Sequence, residues 1–267
     1  MVLLLLFALL LPPAPNTPPE WSRPADPHKI AGNVYYVGTE DLACYLITGS
    51  EGHILINTGL ADSLPLITSG IQRLGFRPED VKILLTNQAH FDHAAALAAF
   101  QKLSGAKMYA TPPDARLLEY GGAFKPGAPP LFAGFDPIKA DRLLQDGEII
   151  RLGPIALKVH HHYGHTPGSA SYEMEVTESG RKLNLLFVNM GTVVMPFDSP
   201  DYPNMAADFE RTFERQLRLR PDIWLATHAS QSNHAEKRKR GTFLDPEGYL
   251  PAVEKYKKAY LEKLRAK

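Results

Sequence analysis

The chain has 267 residues, 44% of them hydrophobic and 22% charged, with 29 basic residues balancing 29 acidic ones. This apolar content suffices for one large domain, or for two halves sharing a core, and it excludes disorder over most of the length. With a formal net charge of zero, no overall field draws nucleic acid or an anionic membrane to the surface, so a small-molecule partner is expected.

The N-terminus departs from the average. "MVLLLLFALLLPPAP" is an apolar run from Val2 to Leu11 closed by prolines. It is too short to cross a bilayer comfortably and fits the hydrophobic region of an export signal, although no Lys or Arg precedes it. "PPAPNTPPE" continues as a proline-rich linker that cannot join a helix or a central strand. Residues 1–20 are therefore predicted to be signal peptide and linker, and residues 21–267 the domain. The mature protein is expected in the periplasm or outside the cell, with no membrane attachment once the signal is removed. Cys44 is the only cysteine, which excludes an intramolecular disulfide and neither supports nor opposes export.

From Trp21 onward, strand and helix signals alternate without a clear linker. "NVYYVG", "ACYLIT" and "HILINTG" are β-branched or aromatic runs bounded by Gly, Asn and Ser, and they predict an antiparallel meander. "SLPLITSGIQRLGF" has helical apolar spacing, with Gly75 in the C-cap position. "VKILLT" reads as a short strand buried on both faces, and "AAALAAFQKL" as a helix packed through small residues. Further strands are predicted at "IIRLG", "IALKVHHH", "SASYEMEV", "KLNLLFV" and "DIWLATH", with helices near Ala206–Leu219 and Pro246–Leu264. This order predicts an α/β fold of two sheets covered by helices.

Between the "VKILLT" strand and the alanine-rich helix lie Gln88, His90, Asp92 and His93. A strand that ends at Thr86 delivers them to its C-terminal edge, where open α/β sheets place ligand sites. Positions 88, 90 and 92 share one side of an extended loop, and His93 opens the helix and turns back toward them. Histidine and aspartate at this spacing are zinc-type ligands. His165 sits in a Gly-His-Thr-Pro-Gly turn, where Gly164 and Gly168 let the backbone bend, and His228 ends the "DIWLATH" strand. Alternation along a strand sends His160, His161 and His162 to opposite faces, so they read as ordinary strand or rim residues. His28, His53 and His234 receive the same reading. No G-x-S-x-G elbow accompanies them.

Together these residues resemble the metallo-β-lactamase superfamily, whose fold is an αββα sandwich with an H-x-H-x-D-H motif and two later histidines. "GHTPGS" and the H-x-D-H core resemble the superfamily as a whole, whereas "KIAGNVYYVGT" followed by "LITGSEGHILINTGL" resembles subclass B3. The resemblance implies one metal position built from Gln88, His90 and His165, and another from Asp92, His93 and His228. These would hold one or two zinc ions per chain in a monomer. It also implies a β-lactam substrate, opened by metal-bound hydroxide that Asp92 holds in place, with the substrate carboxylate near Thr192.

Two positions depart from the family pattern. Gln88 replaces the usual first histidine, and an amide oxygen is a poorer zinc ligand than imidazole, so the first position is expected to be the weaker. Asn189 and Met190 occupy a strand end where relatives offer serine, cysteine or a bridging aspartate, which counts against the glyoxalase II and phosphodiesterase-like branches. Two alternatives remain at this stage: another hydrolase of the same fold, such as a lactonase or thioesterase, and a non-catalytic protein with a degraded metal site.

Overall fold

Alternating side chains along the central strands leave two sheets face to face and helices on both outer surfaces. The computed structural model describes residues 17–266; the run read as an export signal lies outside them. Strands β1 (His28–Ala31), β2 (Val34–Tyr36), β3 (Tyr45–Ile47) and β4 (His53–Ile56) form the expected antiparallel meander. The same sheet continues in parallel through β5 (Val81–Leu85), β6 (Lys107–Ala110) and β7 (Arg142–Leu143). Its connections are α1 (Leu64–Arg73), the pair α2 (Phe91–Ala94) and α3 (Leu97–Ser104), and α4 (Pro112–Glu119).

The second sheet comprises β8 (Ile149–Leu152), β9 (Ile155–His161), β10 (Ala170–Glu178) and β11 (Arg181–Val188), antiparallel in sequence. After α5 (Met205–Gln216), strand β12 (Ile223–Ala226) joins β11 in parallel. Helices α6 (His234–Lys239) and α7 (Pro246–Arg265) complete the described chain, in which no helix is long and apolar enough to cross a membrane.

The two-residue side-chain period of a strand divides the core into three layers. Ile83 and Leu85 of β5 join Leu185 and Phe187 of β11 in a buried cluster between the sheets. Leu84 turns the other way, to Ile67, Phe100 and Leu118 of the covering helices. On the opposite side, Leu186 and Trp224 meet Phe209, Phe213 and Tyr260. The result is an αββα sandwich.

The alanine-rich segment differs from its expected single helix. It breaks between α2 and α3, because the Ala95 N–H lies 3.2 Å from both Phe91 O and Gly59 O. Thr58 N–H also donates to His93 O at 2.8 Å. The loop after β4 thus captures the start of the helix and gives Asp92 and His93 a short turn of their own. Helix α4 was not expected, although the Pro112-Pro113 pair that opens it is a legible start signal.

The histidine tract serves the second sheet. The His160 ring donates to Glu173 Oε2 at 2.8 Å, the His161 ring to Leu144 O at 3.1 Å, and buried His162 meets Ser171 Oγ at 2.7 Å. His28 opens β1, whereas buried His234 departs from the strand-or-rim assignment: their Nε2 atoms lie 2.9 Å apart beside Tyr36 and Phe243.

The hydrogen bond from His160 holds the Glu173 carboxyl down to about 2, against the opposing effect of burial, and Asn184 Nδ2 donates to the same group. A carboxylate depressed below its unfolded value of about 4.3 contributes stability above that pH and loses it as pH falls toward the folded value. Glu173→Gln should therefore cost about 1 kcal/mol at neutral pH. In urea denaturation, the gap from wild type should close as pH falls from about 4 to about 2.

Candidate metal centre

The site is built where both sheets end at one edge. Strand β5 stops at Leu85, and Asn87 then ties its sheet to the other one. Ala170 N–H donates to Asn87 O at 2.8 Å, and Asn87 Nδ2 donates to Ala170 O at 2.9 Å. Asn57, held at φ 64° at the end of β4, accepts the Asn87 N–H at 2.9 Å and the Thr86 hydroxyl at 3.2 Å. Thr86 Oγ1 meets Gln88 O at 2.6 Å, which fixes the first residue of the loop.

Two groups of side chains converge beyond this anchor. In one, His90 Nδ1 lies 2.5 Å from Gln88 Oε1 and 3.2 Å from His165 Nε2. In the other, Asp92 Oδ2 lies 3.2 Å from His93 Nε2 and 3.4 Å from His228 Nε2, while the two imidazole nitrogens are 3.3 Å apart. One potential ligand atom from each of Asp92, His93 and His228 lies within 4.8 Å of the others. The structure thus brings Gln88, His90 and His165 into contact on one side and Asp92, His93 and His228 on the other. Asn189 and Met190 do not join them: both are buried, with Met190 among Phe209 and Phe213.

The two groups differ electrostatically. Burial pushes His90 down to about 3, and the neighbouring His165 adds to the effect; burial likewise pushes His165 down to about 4. Both imidazoles are therefore neutral near pH 7, with lone pairs available. Around Asp92, burial works against the charge, yet His93 and His228 hold its carboxyl well below the usual range. Burial also opposes charge on His228, but Asp41 and Asp92 outweigh it and raise this imidazole to about 9. One triad is neutral, and the other pairs the Asp92 carboxylate with a protonated His228 near pH 7.

Several residues that position these groups carry no recognisable motif. Asp114 of α4 is buried, and it accepts the Thr166 hydroxyl and the Gly168 N–H, both at 2.8 Å. It thereby ties the turn bearing His165 to α4. A Cβ on Gly168 would collide with the Asp114 backbone nitrogen. Gly164 has φ +127°, and a Cβ there would sit 2.7 Å from the Phe209 ring. These contacts explain why both glycines flank His165. Proline at the head of α4 was the one local signal near Asp114, and it marks the helix rather than the contact.

A cleft of about 620 Å³ opens over both groups, walled by Trp21, Phe91, Phe132 and Val194 and reaching Thr192 and Gln231. Phe132 stands edge-on to the His90 ring, with centroids 5.2 Å apart. Thr192 O accepts from His165 Nδ1 at 2.7 Å, and the Thr192 hydroxyl lies 2.8 Å from the same nitrogen.

The family model described as "Metallo-beta-lactamase superfamily" matches residues 38–178. In structure, the chain is similar to the metallo-beta-lactamase GOB-18 from Elizabethkingia meningoseptica, at 41% identity and TM-score 0.88, over 95% of this chain and 98% of that one. It is also similar to the class B3 di-zinc metallo-beta-lactamase LRA-12 from an Alaskan soil metagenome, at 40% identity and TM-score 0.86, over 94% and 99% of the two chains. Among curated proteins, an N-acyl homoserine lactonase of a Bacillus species is 27% identical over 161 residues, 51% of this chain and 59% of the lactonase. A second lactonase, from Bacillus cereus, is 31% identical over 80 residues, or 21% and 32% of the two chains. The chain thus spans between about a third and three-fifths of the length of these curated relatives.

Removing the Asp114 carboxylate would leave two buried donors, the Thr166 hydroxyl and the Gly168 N–H, without an acceptor. Asp114→Ala should cost about 2–3 kcal/mol in chemical denaturation. Asp114→Asn, which keeps one acceptor oxygen, should cost less. Equal stability of Asp114→Ala and wild type would show that the turn holds itself.

Proposed function

The chain belongs to the metallo-beta-lactamase superfamily, and from that membership we propose that it is a zinc-dependent hydrolase that opens the lactam ring of β-lactam antibiotics. The observation that supports this most directly is the convergence of Asp92 and His228, which line the cleft, with buried His93 beneath them, ligand atoms of all three lying within 4.8 Å of one another. Two imidazoles and a carboxylate are a donor set suited to zinc, and three protein ligands leave a position open for water. When bound, zinc supplies a nucleophile from water near neutral pH and a Lewis acid for the amide carbonyl.

The chain's own groups do the remaining work. Asp92, ionised and beside two imidazoles, would help hold the metal and orient the attacking water. Trp21, Phe91 and Phe132 shield the reacting amide from bulk water and receive the apolar parts of the substrate. His165 Nδ1 has one proton to give, and Thr192 O accepts it at 2.7 Å. The Thr192 hydroxyl is then free to donate to a substrate carboxylate in the cleft.

Gln88, His90 and His165 form the second metal position of this reading. A neutral amide oxygen beside two neutral imidazoles holds a dication less tightly than a set that contains a carboxylate. One zinc, at Asp92, His93 and His228, is therefore the tightly held complement. Residues 21–267 act as one hydrolase domain, and the apolar run before it directs export as a monomer to the periplasm or the medium, where β-lactams are met. Hydrolysis of a lactone is the second reading, favoured by the likeness to the Bacillus lactonases. Turnover of a chromogenic cephalosporin and an acyl-homoserine lactone, each with and without a chelator, decides between them. Chelator-sensitive cephalosporin hydrolysis is expected; lactone turnover alone would replace the first reading with the second.

His228→Ala and Asp92→Ala should reduce cephalosporin hydrolysis to background, while Gln88→Ala keeps a measurable fraction. After equal dialysis, Gln88→His should hold more zinc than wild type, approaching two per chain; a wild type already holding two would show that Gln88 is an adequate ligand. Thr192→Val should raise KM about fivefold with little change in kcat, the pattern of a lost uniform binding contact.

A further inference from the structure

Asp41 lies in the loop between β2 and β3, on the opposite sheet from His228 and 187 residues earlier in the chain. It is nevertheless bound to the end of β12 at several points. Its backbone O accepts the Ala229 N–H at 2.7 Å, and its Oδ1 accepts the Ser230 N–H at 2.9 Å. Its Oδ2 lies 2.9 Å from His228 Nδ1 and accepts the Trp21 indole N–H at 3.2 Å. The neighbouring Ala43 N–H donates to Thr227 O at 3.0 Å.

The consequence is chemical as well as geometric. An ionised carboxylate only accepts hydrogen bonds, so the Nδ1 that faces it must carry the proton. The proton that zinc would displace is then the one on Nε2, the atom that points at Asp92 and His93, so that the lone pair is offered there. No other histidine of the two groups has such a partner. His165 Nδ1 meets the carbonyl and hydroxyl of Thr192, His93 Nδ1 is buried without a hydrogen-bond partner, and His90 turns Nδ1 itself toward the site.

On the reading that zinc is held by Asp92, His93 and His228, we infer that Asp41 is the positioning residue of that site. It fixes the tautomer and ring orientation of His228 and makes its Nε2 a stronger donor, as carboxylates behind metal-bound histidines do. Through the same oxygen it holds Trp21 against the His228 ring, whose centroid is 5.4 Å from that of the indole. One carboxylate thereby couples the metal ligand to the apolar wall of the cleft.

The test measures zinc affinity against a competing chromophoric chelator for wild type, Asp41→Ala, Asp41→Asn and His228→Ala. Nitrogen-15 spectra of the zinc-loaded proteins and melting of the metal-free proteins accompany it. Asp41→Ala should weaken zinc binding by about 10- to 100-fold and lose the His228 Nδ1–H resonance. Asp41→Asn, whose amide oxygen can still accept that proton, should recover part of the affinity. If Asp41→Ala fails to fold, Asp41→Asn carries the test through an affinity between those of wild type and His228→Ala. Asp41→Ala with wild-type affinity overturns the inference, as does a loss that Asp41→Asn shares in full while both metal-free proteins melt equally early. A wild type with no zinc affinity, or a His228→Ala that binds zinc normally, instead overturns the underlying assignment of the site.

Discussion

Where β5 ends, one residue, Asn87, ties the two sheets together, and the placement of every candidate ligand in the first loop depends on it. Its carbonyl and amide close a pair of hydrogen bonds with the Ala170 backbone across the sandwich, at 2.8 and 2.9 Å. Its own N–H is taken by Asn57, which also donates to Asn87 Oδ1 at 3.1 Å. These groups are buried, so leaving any of them unpaired would cost on the order of 1–3 kcal/mol. The seam therefore has little freedom to slip. The loop that follows departs from a fixed point and is caught at its far end by the hydrogen bond from Thr58 to His93 O. Between those two anchors there is room for few arrangements of Gln88, His90 and Asp92.

The remaining ligands reach the same edge by strand direction. β5 and β12 both run toward it, so residues just past their ends, from Gln88 onward and at His228, arrive together. His165 comes from the turn between β9 and β10, and α4 pins that turn through Asp114. The site thus draws on both sheets and one covering helix. Shifting one layer against another would separate its two groups, which makes the apolar packing between the sheets a condition of the chemistry as well as of stability.

This explains what was legible in the sequence. The strands and long helices announce themselves because apolar spacing is local, and the candidate ligands do so because imidazole and carboxylate crowd into short segments. The supporting residues do not. Asn57, Asn87, Asp41 and Asp114 are ordinary polar residues in sequence, and the partners that give each its task lie 30, 83, 187 and 52 positions away. The break between α2 and α3 was hidden for the same reason: every residue there favours helix, and the competing acceptor is Gly59 O on another loop. Likewise the strand-or-rim reading of His234 could not anticipate that the fold sets His28 against it.

Gln88 is best understood against the contrast between the two groups. A dication entering a buried site loses much of its hydration, and only negative charge or strong dipoles close by make up the difference. Around Gln88, His90 and His165 the available groups are neutral dipoles, with Phe132 over the His90 ring. Around His93 and His228 there is the Asp92 carboxylate, with Asp41 behind the imidazole. Replacing an imidazole by an amide weakens the group that already lacks charge and leaves the charged group untouched. On the proposed reading, the amide at position 88 would therefore widen an inequality that the fold already sets, because both carboxylates, Asp92 and Asp41, contact His228.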